Sequence, residues 1–258
     1  MRVFSVFMRG RFGAPSVITL SGLLFAFWSL TLANDGRYEA AAWAIFVSAL
    51  LDIVDGGIAR SLGAISPFGK QLDSLVDLVA AGVAPAFLVH QVYFEDWGAP
   101  GLVVAFAWVA LVAIRLARFN TASLVDGMYF VGVPCPIAAT VVSQYVVFSN
   151  ATWGTDGEAW VMATVIALLG ALMLSRVPYW KSATLLPREF FHHAYGAGVV
   201  ATVALAVPFP RQAFFVGVSI SIIGAVVIDA ARSILRLRQP QPRVAPIITT
   251  ASQAPETA

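Results

Sequence analysis

The sequence predicts an all-α, polytopic integral membrane protein, a bundle of about eight transmembrane helices, from three observations. Hydrophobic residues make up 59% of the 258 residues and charged residues only 12%, whereas a typical soluble domain is about 45–50% apolar and about 25% charged. The mean hydropathy is +0.81. The apolar residues form long continuous runs, which favours helices over the alternating strands of a membrane barrel. The composition excludes a soluble domain and a disordered chain.

Each predicted span is an apolar run bounded by a short polar or Gly/Pro-rich joint. A helix that crosses a bilayer needs roughly 20 mostly apolar residues. The predicted spans are 16–33, 40–60, 67–94, 99–118, 134–150, 158–175, 195–210 and 212–235. The domain organisation that follows is an N-terminal segment 1–15, a transmembrane domain 16–237 and a tail 238–258. The tail is rich in Pro, Ala and Thr and has no apolar period, which predicts disorder.

The basic residues predict the orientation of the bundle. With a cytoplasmic N-terminus and eight spans, all but two of the 16 basic residues fall on the cytoplasmic side. The two exceptions are Arg37 and Arg211. Because Lys and Arg in short loops favour the cytoplasm, we expect a multi-pass protein of the cytoplasmic (inner) membrane with both termini inside.

Four aspartates lie inside two consecutive predicted spans, where carboxylates are rare. They are Asp52, Asp55, Asp73 and Asp77. A carboxylate at the bilayer centre costs about 2.5–3.5 kcal/mol on insertion scales. Asp52 and Asp55 share one arc of the second helix, and Asp73 and Asp77 form an i, i+4 stripe on the third. Because the joint between these helices is short, the two acidic faces are predicted to meet in a cleft open to the cytoplasm.

Such a cluster is typical of a metal–phosphate site. Neighbouring carboxylates repel one another, and Mg²⁺ binds carboxylate oxygens while sharing its shell with substrate phosphates. Mn²⁺ accepts the same ligands. Gly56 and Gly69 leave room for a ligand, although close helix packing explains small residues equally well. Intramembrane acids also line ion paths, so an ion or metal transporter is the alternative of a different class.

The acidic stretch also carries a recognisable pattern. Its fixed positions are Asp52, Asp55, Gly56, Ala59, Arg60, Gly69, Asp73 and Asp77. At every one of these positions the chain resembles the signature of the CDP-alcohol phosphatidyltransferase family. The segments IRLARFN at 114–120, FVGVPCPIAA at 130–139 and LMLSRVPY at 172–179 are most similar to the serine-using branch of that family. One departure is Ser16, a hydroxyl where relatives often carry an amide after the proline.

The resemblance implies an enzyme that transfers a phosphatidyl group from CDP-diacylglycerol to the hydroxyl of L-serine and releases CMP. It also implies Mg²⁺ or Mn²⁺ as the cofactor, with two ions per site, a homodimer, and membrane lipid but no nucleic acid as a partner. The alternative of the same class keeps this chemistry with another acceptor, such as glycerol phosphate, an inositol compound or choline, or with another lipid backbone.

The resemblance also implies a role for each position. Asp52, Asp55 and Asp73 are expected to ligate a metal ion, with Asp77 near a second ion and acting as the general base. On the nucleotide side, the expected contacts are Gly56, Ala59, Arg60 and Gly69. Lys70 lies in the same loop and is a candidate contact for phosphate.

A candidate acceptor site lies at the cytoplasmic end of the fourth span, at Arg115, Arg118 and Asn120. An Arg fork can grip the carboxylate of serine bidentately. The competing explanation is that these arginines only anchor the helix and set its topology. The lone thiol Cys135 is not expected to take part in the chemistry.

Overall fold

The computed structural model describes residues 10–61, 66–122, 129–131, 133–154, 157–175 and 178–180, together with 215 and 217. The first six predicted spans fall on helical segments whose ends agree with the prediction to within a few residues. The predicted spans 195–210 and 212–235 and the tail 238–258 lie outside the described residues, apart from the two isolated helical positions, and so does most of the segment 1–15. The total of eight spans therefore stays a prediction.

The first two helices form a close antiparallel pair. Helix α1 spans Gly10–Asn34 and helix α2 spans Tyr38–Ser61. Ser48 Oγ donates a hydrogen bond of 2.8 Å to the carbonyl oxygen of Gly22. A Cβ atom on Gly22 would lie 3.6 Å from Ser48, at an ordinary contact distance, so the two helices are close but leave room for a methyl group there.

The third span is one helical rod, Pro67–Trp97, with two wide turns in it. Its parts are α3 (Pro67–Asp77), a π-helical turn (Leu78–Val83), α4 (Ala84–Val89), a second π-helical turn (His90–Phe94) and a 3₁₀ turn (Glu95–Trp97). The sequence predicted an uninterrupted helix here. Wide turns of this kind are rare and occur frequently at functional sites.

The first wide turn has a local cause. The N–H of Ala84 donates to the carbonyl oxygen of Val79, five residues back. Pro85 has no N–H, so the carbonyl oxygen of Ala81 loses its α-helical donor. The indole Nε1 of the buried Trp108 donates to that oxygen at 2.9 Å instead. A side chain from the next helix therefore satisfies the carbonyl that the wide turn and the proline leave open.

Helix α5 (Ala99–Ala122) packs back along this rod. The connection turns at Gly98, whose φ of 60° is in the left-handed region. A Cβ atom on Gly101 would overlap the carbonyl oxygen of Phe94, so only glycine permits this close approach. The corner between the rod and α5 is consequently tight.

Helices α6 (Cys135–Trp153) and α7 (Ala159–Leu174) complete the described bundle. Helix α6 crosses α2, and the buried Gln144 Nε2 donates to the carbonyl oxygen of Ala42 at 3.1 Å. Helix α7 packs on α5 so closely that a Cβ atom on Gly170 would lie 2.5 Å from Leu111. The described helices thus surround α6 and the rod.

Aromatic rings gather at the end of the bundle where the rod meets α5 and α7; we call this the aromatic end. Its residues are Tyr93, Phe94, Trp97, Tyr145, Phe148, Ser149 and Trp160. The ring centroids of Trp97 and Trp160 are 4.6 Å apart, and those of Phe94 and Trp97 are 5.3 Å apart. Ser149 Oγ donates to the carbonyl oxygen of Val146 and lies 3.1 Å from the Tyr93 hydroxyl, which can therefore donate to it.

The outer surface of the bundle is apolar. Leu24, Val103 and Phe106 are each 65% or 66% exposed, which a soluble protein rarely tolerates over a continuous face. Three described helices are long and apolar enough to cross a membrane: Ser16–Asn34, Pro67–Trp97 and Ala99–Thr121. The composition and this surface agree on an integral membrane protein.

Two three-residue strands were not predicted. Strand β1 (Tyr129–Val131) pairs antiparallel with β2 (Pro178–Trp180), with Tyr129 opposite Trp180. The pair joins two connections that are far apart in the sequence, after α5 and after α7.

Candidate active site

The N-terminus of α3 fixes the direction in which its two aspartates project. Ser66 has an extended backbone, and its Oγ accepts a 2.9 Å hydrogen bond from the N–H of Gly69, with Pro67 in the first turn. This is a side-chain cap on a helix start that proline favours. A Cβ atom on Gly69 would lie 3.1 Å from Ser66 Oγ. Gly69 therefore has a structural role in the cap, and its predicted contact with the nucleotide stays a prediction.

Three of the four aspartates converge. One carboxylate oxygen from each of Asp52, Asp55 and Asp73 lies within 4.8 Å of the others. Asp55 is buried, with 4% of its surface exposed, whereas Asp52 and Asp73 are half-buried. The cleft between α2 and α3 predicted from the sequence therefore exists, and it gathers negative charge.

These carboxylates fit a divalent cation. Oxygen ligands lie about 2.0–2.6 Å from Mg²⁺ or Ca²⁺, so two ligands of one ion are at most about 4–5 Å apart. The observed limit of 4.8 Å is compatible with a single ion held between the three side chains. The donor set, all carboxylate oxygen, is the one that hard cations prefer.

A hydroxyl from α1 supports the cluster. Thr19 Oγ1 donates to Asp55 Oδ2, and Thr19 is only 8% exposed. The hydrogen bond holds one carboxylate oxygen in place from outside the motif, as a supporting residue does for a metal ligand. Sequence reasoning missed this residue as part of the site. The available signal was a pair of hydroxyl residues, Ser16 and Thr19, within an otherwise apolar run.

Asp77 differs from the three clustered aspartates. It lines a cavity together with Asp52 and Asp55, but it does not belong to the group within 4.8 Å. Among the described residues, no donor forms a hydrogen bond with its carboxylate. A half-buried carboxylate whose oxygens are open to a donor is suited to accept a proton.

The cavity behind the aspartates is small. It holds about 10 Å³, roughly the room for one water molecule. Helices α1, α2, α3 and α6 and the first wide turn line it. The lining residues are Thr19, Gly22, Ser48, Ala49, Asp52, Asp55, Val76, Asp77, Ala80, Ala81, Pro136 and Ala139. The size admits an ion or a water molecule and is too small for a nucleotide.

The predicted acceptor residues divide into two groups. Arg115 is buried, with 7% exposed, and its charge acts on Asp77. Its Nη1 donates to Cys135 Sγ at 3.1 Å. Arg118 instead faces α7, and its Nη1 donates to the carbonyl oxygen of Leu174 at 2.8 Å. A guanidinium on the last carbonyls of a helix satisfies acceptors that have no intrahelical donor.

Asn120 and Lys70 lie where α5 meets the start of α3. Asn120 Nδ2 donates to Ser74 Oγ at 2.9 Å, and Ser74 Oγ donates to the carbonyl oxygen of Lys70. Lys70 Nζ lies 5.5 Å from the centre of the Phe119 ring. These contacts tie the end of α5 to the first turns of α3, and the predicted ligand contacts of both residues stay predictions.

The remaining motif positions are on the last turns of α2. Gly56 is half-buried one residue after Asp55. Ala59 and Arg60 lie on the same helix, with side chains outside the described residues. Their expected contacts with the nucleotide remain predictions.

Comparisons with known proteins agree with this geometry. The profile of the family described as CDP-alcohol phosphatidyltransferase matches residues 12–169. The chain is 34% identical over 167 residues to the CDP-diacylglycerol–serine O-phosphatidyltransferase of Helicobacter pylori, covering 64% of this chain and 70% of that protein. It is 33% identical over 180 residues to the enzyme of the same name from Mycobacterium leprae, covering 66% and 59%. It is 30% identical over 167 residues to the archaetidylserine synthase of Methanothermobacter thermautotrophicus, covering 64% and 68%.

Proposed function

This chain belongs to the CDP-alcohol phosphatidyltransferase family, and from that premise we propose that it is a phosphatidylserine synthase. It transfers the phosphatidyl group of CDP-diacylglycerol to the hydroxyl of L-serine and releases CMP. The observation that carries the proposal is the convergence of Asp52, Asp55 and Asp73 within 4.8 Å, with Asp77 beside them. The names of the similar proteins support serine as the acceptor.

Metal binding falls to the three clustered aspartates. Asp52, Asp55 and Asp73 hold Mg²⁺ or Mn²⁺, with Thr19 keeping the Asp55 carboxylate in place. Asp77 lies next to them and would be a ligand of the second ion that the family resemblance implies. A cation held there would neutralise the diphosphate and would stabilise CMP as the leaving group.

Asp77 is the general base of the proposed reaction. The oxygen of the serine hydroxyl forms a bond to the phosphorus that carries the diacylglycerol, and the bond from this phosphorus to the oxygen of CMP breaks. The hydroxyl proton passes to the Asp77 carboxylate, whose oxygens accept no hydrogen bond from the described residues. Proton transfer to a positioned carboxylate contributes about 10²–10⁴-fold in rate.

The two substrates occupy opposite sides of the acidic cluster. The cytidine end lies against the last turns of α2 and the first turn of α3, at Gly56, Ala59, Arg60, Gly69 and Lys70. The acceptor lies on the side of α5, where Arg115 is nearest to Asp77 and where Arg118 and Asn120 hold the surrounding helices together. The lipid tails stay in the bilayer, and the site opens to the cytoplasm, as the distribution of basic residues implies.

A panel of acceptors tests this proposal. The full-length protein in lipid vesicles receives CDP-diacylglycerol, Mn²⁺ and one alcohol at a time, and CMP release is measured. We expect release with L-serine and little with glycerol phosphate, inositol compounds or choline. Release with one of the other alcohols alone would reassign the acceptor. A protein that releases no CMP but moves ions across the vesicle membrane would be a transporter.

Two finer points belong to the same proposal. The similarity to an archaetidylserine synthase makes an ether-lipid CDP donor the relevant comparison substrate. The homodimer implied by the family resemblance is tested by the mass of the detergent-solubilised protein in light scattering.

A further inference from the structure

The N-terminus of α6 lacks a capping side chain. Helix α6 begins at Cys135 after Pro134, and no side chain in the described part of the chain caps this end. The N–H groups of Cys135 and Ile137 have no intrahelical acceptors because they lie in the first turn. Pro136, between them, has no N–H. A long helix carries a partial positive charge at its N-terminus and favours an anion there.

A buried arginine points at the same place. Arg115 is 93% buried, since only 7% of its surface is exposed, and its Nη1 donates to the sulfur of Cys135, the first residue of α6. Its Nε is also buried and has no hydrogen-bond partner among the described residues. A guanidinium presents its donors in a fixed fork that matches a carboxylate. Arg115 therefore has donor capacity left over beside the N-terminus of α6.

Asp77 does not accept a hydrogen bond from the remaining donors of Arg115. The charges of Arg115 and Asp77 act on each other, yet the two side chains form no ion pair or hydrogen bond within the part of the chain that the structure describes. Pro136, in the first turn of α6, lines the same cavity as Asp77. Two positive features, a guanidinium and a helix N-terminus, thus meet next to the proposed base.

We propose that Arg115 and the N-terminus of α6 form the subsite for the carboxylate of the acceptor amino acid. The inference rests on the proposed function and names the group by which that site recognises its acceptor. In serine a single carbon carries both the carboxylate and the CH₂OH group, so binding the carboxylate here brings the hydroxyl toward Asp77. Cys135 is a positioning residue, because its sulfur accepts the hydrogen bond that orients the Arg115 fork.

The discriminating measurement compares L-serine with L-serinamide. Serinamide keeps the hydroxyl and the amine but has a neutral amide in place of the negatively charged carboxylate. The assay is CMP release by the full-length protein in vesicles that contain CDP-diacylglycerol and Mn²⁺. We expect the wild type to favour serine about a hundredfold in kcat/KM, as expected for a buried charge-assisted contact. In the variant Arg115→Gln, the ratio of kcat/KM for serine to kcat/KM for serinamide should fall to about three or less, chiefly through a higher KM for serine.

Conservative variants and a matched control keep the test decisive. Arg115→Lys retains the charge and should keep part of the preference. Cys135→Ala should lower the ratio several-fold and Cys135→Ser should restore it in part, which covers the case in which Arg115→Gln does not fold. Thr121→Val is the control, since the Thr121 hydroxyl donates to backbone carbonyl oxygens of its own helix; it should leave the ratio as in the wild type.

The outcomes separate this inference from the proposed function. If the wild type uses serine and Arg115→Gln reduces turnover of serine and serinamide by the same factor, the carboxylate subsite is wrong while the synthase stands. If Cys135→Ala also leaves the ratio unchanged, its positioning role is wrong. A wild type that prefers glycerol phosphate, or releases no CMP with any alcohol, contradicts the proposed function itself.

Discussion

The two ends of the bundle are built on opposite principles. The acidic end is formed by Asp52, Asp55, Asp73 and Asp77. The carboxylates of the first three lie within 4.8 Å of one another, and small residues leave a small cavity beside them. At the aromatic end, the centroids of neighbouring rings are 4.6–6.4 Å apart, and the hydroxyl groups of Tyr93 and Ser149 are paired with each other.

We infer from this difference that the acidic end serves function and the aromatic end serves stability. Clustered carboxylates oppose folding unless a cation offsets their repulsion, and such a cost is typical of functional sites. Buried ring contacts stabilise the fold and hold its elements in register. We therefore expect substitutions at the acidic end to change turnover and metal dependence, and substitutions at the aromatic end to change stability.

The largest effect is expected for Asp77→Asn. The amide cannot accept the hydroxyl proton as a carboxylate does, so kcat should fall about 10²–10⁴-fold. The Mn²⁺ concentration for half-maximal activity should rise less than in Asp52→Asn, because Asp77 lies outside the three-carboxylate group. Asp52→Asn is the matched control, and it should raise that concentration and weaken metal-dependent nucleotide binding. A kcat equal to that of the wild type in Asp77→Asn would show that Asp77 is not the general base.

A smaller effect is expected for Thr19→Val, which removes the hydrogen bond to Asp55 and keeps the shape of the side chain. The apparent affinity for Mn²⁺ should fall about 10–100-fold, the range found for residues that orient metal ligands. The measurement is a Mn²⁺ titration of activity, with Thr19→Ser as the restoring variant. Thr31→Val is the control, because the Thr31 hydroxyl binds only its own helix backbone. Equal titrations for both valine variants would contradict the role of Thr19.

At the aromatic end, Gly101→Ala should destabilise the fold without changing the Mn²⁺ dependence. The new Cβ would overlap the carbonyl oxygen of Phe94, and overpacking of this kind costs about 1–3 kcal/mol. The measurement is thermal unfolding in detergent. The matched control is Gly22→Ala near the acidic end, where the Cβ would make ordinary contacts at 3.6–3.8 Å and stability should hardly change. Equal melting temperatures for the two variants would contradict the contrast in packing.

The smallest effect is expected for Tyr93→Phe, which removes a single hydroxyl and leaves the ring in place. Its hydrogen bond with Ser149 should contribute about 0.5–1.5 kcal/mol to stability. Thermal unfolding measures the loss, and kcat with serine should stay unchanged. A change in kcat larger than the change in stability would mean that the two ends are coupled.

Much of this architecture was predictable because the signals are local. Apolar runs bounded by polar joints predicted the first six helices, and the spacing of Asp52, Asp55 and Asp73 predicted that their side chains would meet. Both inferences depend on helical periodicity, which the sequence displays directly. The family resemblance depends largely on the same segment, residues 52–77, and the comparisons support it with a match over residues 12–169.

The features that were missed depend on contacts between distant residues. Thr19 reaches Asp55 from 36 positions away, and the Trp108 indole reaches Ala81 from 27 positions away. The pairing of β1 with β2 joins two connections that read as unrelated loops. Arg115 and Arg118 are only three positions apart, and the sequence predicted the same role for both. In the structure Arg115 contacts Cys135, whereas Arg118 contacts the end of α7.

The wide turn at Leu78–Val83 also sets the rotational phase between the two ends. A turn closed by an i to i−5 hydrogen bond, such as that from Ala84 to Val79, holds one residue more than an α-helical turn. The wide turn absorbs this extra residue, so deleting one residue there would restore regular winding and leave the distal half of the rod in nearly the same phase relative to Asp73 and Asp77. Winding the stretch as a regular α-helix with every residue kept would instead rotate the distal half by about 100°. The stretch should therefore accept a single-residue deletion more readily than a single-residue insertion, because the wide turn already holds one residue more than regular winding.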